Sequence, residues 1–444
     1  MKQIQTGRTG RWIAIALLAL GSILSLIIFG GFLLRSQQRI QPSGDPLIDR
    51  MQRAVLAASC QPAHDRFANL MGTSQWPWAP DLKTVISWED EFSGRSDYWC
   101  LRSSLARLGV DEQGSEAGFL QRAAECNDAG PEVLARAMKL ELHAIRYDES
   151  LELDAWQEDA ATAEIIERYR TRRPDNAAIC YIAADHLSWY GLDAQYVEML
   201  ELGNSLDGKA SGELFPLAIA VGAGSQDGPV LDPMIAGSLL MLRSYQSTYE
   251  YGNHNRLKDI YKELELAGSE LGMARALTAL MRRELRPRID SDDPLQLTAP
   301  IVLQEVLSEI VILHTDWEPG SPQVTGMQAW LADWQAYDTW RSGIHARVAA
   351  YDPRLAAYMN EAFTWYNLRG ASASNATAEL QDYMALAGSQ SNGNLLKQQA
   401  LDEYALNHYL LDNEMPRGRE MLEHLATFDF EHPELYVGMD DDGN

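Results

Sequence analysis

The chain is short of lysine, cysteine and strand-like alternation, and it lacks every short catalytic signature. Seven of its 37 basic residues are lysine, and 63 carboxylates leave a net charge of −26. A phosphate backbone requires Lys and Arg clustered on one face, so nucleic acid is excluded as a partner. Period-two alternation is scarce. The nearest strand-like run, residues 214–221, is short and contains Pro216. None of the four cysteines forms a C-x-x-C pair, which leaves thioredoxin-like, zinc-ribbon and c-haem chemistry without support. H-E-x-x-H, Gly-x-Ser-x-Gly, Ser-x-x-Lys and Gly-Lys-Ser/Thr are all missing. Gly222, Gly224 and Gly228 come near a dinucleotide fingerprint, but its third glycine position holds Asp227. The histidines are dispersed, and His424, Glu431 and His432 would put any metal in a terminal tail. No cofactor and no metal are expected.

What is present begins with an apolar run. Residues 12–34 carry no charge. At the helical rise they reach about 35 Å, enough to cross a hydrocarbon core of about 30 Å. A signal peptide cleaved after Ala19-Leu20-Gly21 would leave an exposed apolar terminus, so the run reads as an uncleaved single-pass anchor. Residues 1–44 contain five basic residues and no acidic one. A short basic N-terminus inside and a large acidic body outside is the simpler topology. The expected place is the cytoplasmic (inner) membrane, with the body in the periplasm. In that oxidising compartment, Cys60, Cys100, Cys126 and Cys180 are expected to form two disulfides, with three pairings open.

Beyond a polar stalk at 35–44, helical periodicity dominates, and the expected class is all-α. Leu257, Ile260, Tyr261 and Leu264 share one helical face; Val302, Leu303, Val306, Leu307, Ile310 and Val311 share another. Asp45-Pro46, Asp232-Pro233, Asp293-Pro294 and Asp352-Pro353 each place a capping carboxylate before a proline that has no N–H to lose. Gly130-Pro131 and Arg173-Pro174 look like related starts. From Pro174 through Pro233 and Pro294 to Pro353 the gaps are 59, 61 and 59, a spacing that suits one helical unit per repeat. The expected organisation is a cytoplasmic end (1–11), an anchor (12–34), a stalk (35–44), a cysteine-containing helical region (45–172), a helical-repeat region (173–437) and an acidic tail (438–444). Residues 72–98, with two prolines and three tryptophans, read as an irregular segment.

Two stretches resemble the tetratricopeptide repeat. In one, Pro174-Asp175-Asn176 opens a helix with Ala183, Ala184 and Leu187, Gly191 stands at the turn, and Tyr196, Met199 and Leu200 follow. In the other, Leu401, Tyr404, Ala405, His408 and Tyr409 precede a break at Asp412-Asn413, then Met421, Leu422 and Leu425, closing near Pro433. The family's Trp-x-x-Leu-Gly opening is missing from both. The resemblance implies stacked antiparallel hairpins, an α-solenoid, with a concave face that binds a partner protein.

Two clusters invite a functional reading. Trp88-Glu89-Asp90-Glu91-Phe92 sets acids among aromatics, as glycoside chemistry does, although a solvated acidic turn has the same pattern. Trp330, Trp334, Tyr337 and Trp340 fall within one arc of a helix. Such a stripe is core between stacked helices or, in the alternative, an exposed aromatic binding face. The leading expectation is a non-enzymatic, membrane-anchored helical-repeat scaffold that binds a partner protein. The alternative is a membrane-tethered α/α-toroid enzyme acting on carbohydrate.

Overall fold

Aspartate before proline starts helices in this chain. Asp45 Oδ1 accepts the backbone N–H groups of Leu47 at 2.8 Å and Ile48 at 3.3 Å, and helix α1 (Pro46–Ser59) follows. Burial works against the charged carboxylate. The Arg95 guanidinium and the two N–H groups outweigh it and hold the Asp45 pKa below its usual value. Asp352 repeats the device: its Oδ1 accepts the Arg354 N–H at 2.8 Å, and helical backbone runs over 353–359. At Asp293-Pro294 a helical turn closes from the Gln296 N–H to the Asp293 carbonyl at 3.0 Å. Arg173-Pro174 starts its helix later, where Asn176 caps the Ala178 N–H at 3.0 Å.

A computed structural model describes residues 43–59, 82–107, 111, 113–147, 155–187, 193–208, 210, 240, 270–294, 296, 317–359 and 395–439. Among the described residues the chain is all-helical, with no strand. After α1 come α2 (Leu82–Ile86), α3 (Glu89–Phe92), α4 (Ser96–Arg107), α5 (Glu116–Glu125), α6 (Pro131–Tyr147), α7 (Ala155–Arg172), α8 (Ala177–Leu187) and α9 (Asp193–Ser205). Then follow α10 (Glu270–Asp290), α11 (Pro322–Tyr351), α12 (Leu395–Asn413), α13 (Met415–Leu425) and a 3₁₀ turn, Pro433–Leu435. The apolar run 12–34, the helical faces at 257–264 and 302–311, Asp232-Pro233 and Cys60 lie outside the described residues. No helix among the described residues is long and apolar enough to cross a membrane. From residue 82 onward the segment expected to be irregular is helical: α2 and α3 turn Val85, Trp88 and Phe92 into the core.

Among the described residues each helix from α4 to α9 packs on the one after it, α8 also packs on α6, α10 packs on α9, and α13 gathers α10, α11 and α12. Three cores result. The first is built by α1–α8 and crosses residue 173, since Ile179 and Ala183 belong to it. A small one joins α8, α9 and α10 through Tyr181, Tyr196, Leu200 and Leu280. Another fills α10–α13 around Trp330, Tyr337, Met281 and Leu422. Helix α12 serves two of them: Ala400 packs in the first core, Leu406 and Leu410 in that of α10–α13.

The last described segment is strapped over α11. The Asp333 Oδ2 accepts the Tyr436 hydroxyl at 2.8 Å and the Met439 N–H at 3.2 Å, so the expected tail at 438–444 begins as an anchored segment. A Cβ built on Gly326 would overlap the Pro433 carbonyl oxygen. Alanine in mid-helix is normally favoured over glycine by about 1 kcal/mol. Here Gly326→Ala is expected to destabilise by about 1–3 kcal/mol, as overpacking does. A lower denaturant midpoint checks it; a gain in stability would mean the strap lies elsewhere.

Candidate functional site

A polar cleft of about 290 Å³ opens where α3, α4 and α5 meet. It is built around a buried charge. Arg102 follows Tyr98 by four residues and precedes Leu105 by three on α4, so it stands on the apolar stripe and is 2% exposed. A charge there needs partners. The Arg102 Nε donates to Asp111, which is also buried. Its Nη1 donates to the Glu89 carboxylate at 3.0 Å and the Tyr98 hydroxyl at 3.2 Å. The Phe119 ring lies 4.6 Å beneath the guanidinium carbon. Burial opposes the charge, but Asp111 and Tyr98 outweigh it, and the Arg102 pKa is raised. Burial also raises the Tyr98 pKa, with Arg102 pulling the other way.

The mouth carries a second guanidinium. Arg122, on α5, is 56% exposed and lies 4.0 Å from Glu89. It rests over the Trp99 ring at 4.8 Å, and Trp99 in turn stacks on Phe119 with ring centres 6.0 Å apart. Ser115 caps α5 by accepting the Gly118 N–H at 3.0 Å. Gln113, Gly114, Ser115 and Gly118 complete the wall. The arrangement offers guanidinium donors and a helix N-terminus, chemistry that suits an oxyanion.

Of the acidic-aromatic cluster, Trp88 and Phe92 are core, Glu91 pairs with Arg50, and only Glu89 faces the cleft. Arg102 stands between Glu89 and Asp111, the place a substrate would occupy between an acid and a base.

The aromatic stripe is core, which corrects the exposed binding face. Trp330, Trp334, Tyr337 and Trp340 are 0%, 5%, 1% and 7% exposed. Trp330 stacks on Phe428 at 4.7 Å, and Trp340 covers Gly418. Burial pushes the Tyr337 pKa up to about 12.

The cysteines also differ from expectation. Cys100, Cys126 and Cys180 are free thiols, so no disulfide joins any two of them, and Cys60 lies outside the described residues. Position explains part of this: Cys100 belongs to the first core, while Cys180 sits against Gly203 in the α8–α9 hairpin. Burial raises the pKa of all three, which disfavours the thiolate.

Elsewhere, His186 is a buried histidine satisfied by the Thr162 hydroxyl at 3.2 Å. His424 faces Asp333 at 3.3 Å, and His432 faces Glu434 at 3.4 Å. Among the described residues no group of His, Cys, Asp and Glu has the geometry to hold a metal. Sequence reasoning missed Arg102, Asp111 and Arg122. The available signal was Arg102 itself, a charge at an apolar-stripe position. No family model, no curated protein and no solved structure matches this chain.

Proposed function

We propose that the chain is a membrane-anchored, extracytoplasmic helical-repeat scaffold that binds a partner protein. The observation that carries the reading is the neighbour-on-neighbour packing of α4 through α9, the arrangement a stacked array requires. One tetratricopeptide-like stretch supports it, since α8 and α9 pack closely on each other; in the other, α12 and α13 meet at Glu414, whose N–H bonds the Leu410 carbonyl at 3.0 Å as in a continuing helix. The anchor is residues 12–34, with the basic end inside and the acidic body in the periplasm. Cross-linking in native membranes, followed by an alkaline carbonate wash, tests both halves. The full-length chain is expected in the pellet, coupled to a reproducible protein partner. A soluble chain lacking its first twenty or so residues defeats the anchor; a chain that couples to nothing defeats the scaffold.

One observation favours the α/α-toroid alternative. Ala400 of α12 packs in the core built by α1–α8, a long-range return that a straight array lacks. Shape discriminates. A compact body of 400 residues has a radius of gyration of about 21 Å. X-ray scattering from the body is expected to give a clearly larger value for an extended array, and the compact value for a ring.

A further inference from the structure

We infer that the cleft between α3, α4 and α5 is a binding site for a single carboxylate, and that Glu89 occupies it as a built-in stand-in. The inference does not rest on the scaffold reading, since it needs neither repeats nor an anchor. The two acids differ in standing. Asp111 is structural: it is buried, bound to Arg102 Nε, and accepts the Gln113 N–H at 3.0 Å. Glu89 is 40% exposed on a one-turn helix, and it lies between Arg102 at 3.0 Å and Arg122 at 4.0 Å. It holds the place where an external carboxylate would meet both guanidiniums.

Donors remain for such a ligand. The Arg122 guanidinium makes no hydrogen bond among the described residues; it is held by the Trp99 face and the distant Glu89. The Arg102 Nη2 reaches only the Gln113 Oε1, at 3.5 Å, the outer limit of a hydrogen bond. Arg102 is fixed by Asp111, Tyr98 and the Phe119 ring, so little side-chain freedom is lost when a ligand arrives. Charge then selects the ligand. With Glu89 turned out, Arg102 is balanced by Asp111, and no other carboxylate among the described residues pairs with Arg122, which leaves one positive charge among them. A monoanion restores neutrality. A dianion such as phosphate would add negative charge to a chain already at −26. The planar fork of a guanidinium matches a carboxylate in shape. A volume of about 290 Å³ holds a small acid or the end of a peptide chain.

The test is labelling of the solubilised full-length chain with phenylglyoxal, which modifies accessible arginines, read residue by residue by mass spectrometry. N-acetylglycine is expected to protect Arg122 saturably. N-acetylglycinamide, and sodium chloride at equal ionic strength, are expected to leave it reactive. Arg275, 58% exposed and paired with Glu201, is expected to label equally throughout. In Glu89→Gln, the half-protecting concentration of N-acetylglycine should fall about three- to tenfold, as when a half-exposed ion pair stops competing. A glycine-terminated peptide that protects at far lower concentration than N-acetylglycine assigns the carboxylate to a chain end; equal potency assigns it to a free small acid. Protection by the amide or by chloride equal to that by the acid overturns the inference, as does an unchanged half-protecting concentration in Glu89→Gln. The acid and amide comparison on the unaltered chain decides even where the variant fails to fold.

Discussion

Replacing Trp330 by alanine is expected to cost about 3–5 kcal/mol, the range for a fully buried tryptophan. Trp330 is 0% exposed and reaches two later segments at once. Its ring stacks on Phe428 at 4.7 Å and meets Phe430 edge-on at 5.4 Å. Its Nε1 donates to the Leu425 carbonyl at 3.2 Å, the last residue of α13. Alanine therefore removes the packing of α11 against α13 and the 428–430 segment, and takes one of two donors from the Leu425 carbonyl, which keeps the Phe428 N–H at 3.3 Å. Trp330→Phe keeps much of the stack and is expected to cost about 1–2 kcal/mol, the lost hydrogen bond plus a smaller void. Tyr351, 68% exposed at the end of the same helix, is the milder comparison: its ring meets that of Tyr409 at 4.7 Å, and Tyr351→Ala should cost about 0.5–1.5 kcal/mol. Guanidinium unfolding of the full chain, followed by circular dichroism, measures all three. A Trp330→Ala cost below about 1 kcal/mol would fit an exposed aromatic face and contradict the core.

That prediction turns on a stripe whose periodicity is legible and whose exposure is not. Trp330, Trp334, Tyr337 and Trp340 share an arc in either reading. Only the partners, Phe428, Phe430 and Gly418, reveal that the arc is covered, and they lie some eighty to a hundred residues downstream. Local rules do better where the physics is local. Asp45-Pro46 and Asp352-Pro353 start helices because the cap, the proline and the first free N–H groups lie within four residues. Arg173-Pro174 fails by three residues because Asn176 is the better cap: it takes the Ala178 N–H and also donates to the Pro131 carbonyl at 2.8 Å. The cleft was half legible. Glu89 stands out among aromatics, whereas the pairing of Arg102 with Asp111 depends on a loop closure that local periodicity does not encode. Compartment logic predicted disulfides, and it carries no geometry; Cys100 and Cys180 sit in different packing environments.

Arg286→Ala is expected to destabilise the chain by about 3 kcal/mol, and Arg286→Lys to recover less than half of that. The guanidinium closes the C-terminal end of α9, where the last carbonyls of a helix have no partner of their own. Its Nη1 donates to the Gly203 carbonyl at 2.7 Å and the Asn204 carbonyl at 3.2 Å. Its Nη2 donates to the carbonyls of Leu206 and Gly208, the latter at 2.8 Å. These are charge-assisted hydrogen bonds to the negative end of a helix dipole, so cation and acceptors reinforce one another. Each is worth roughly 1 kcal/mol net, and a side chain still 20% exposed lets some carbonyls recover water when it is gone. Alanine loses all four. An ammonium group radiates its donors from one point and spans two carbonyls at best, whereas the guanidinium presents two nitrogens side by side. The consequence is more than local, because Asn204 also bridges Tyr181 at 2.7 Å to the Ala279 carbonyl at 3.1 Å. Releasing the end of α9 loosens the α8–α9–α10 core through that bridge. The Asp290 carboxylate, 3.5 Å from Arg286, is a lesser partner, so the loss should persist in 1 M salt, where an ion pair would be screened. Denaturant midpoints of the two variants in low and high salt measure this. A cost below about 1 kcal/mol, or one that vanishes in salt, would reduce Arg286 to an ordinary ion pair of the surface kind.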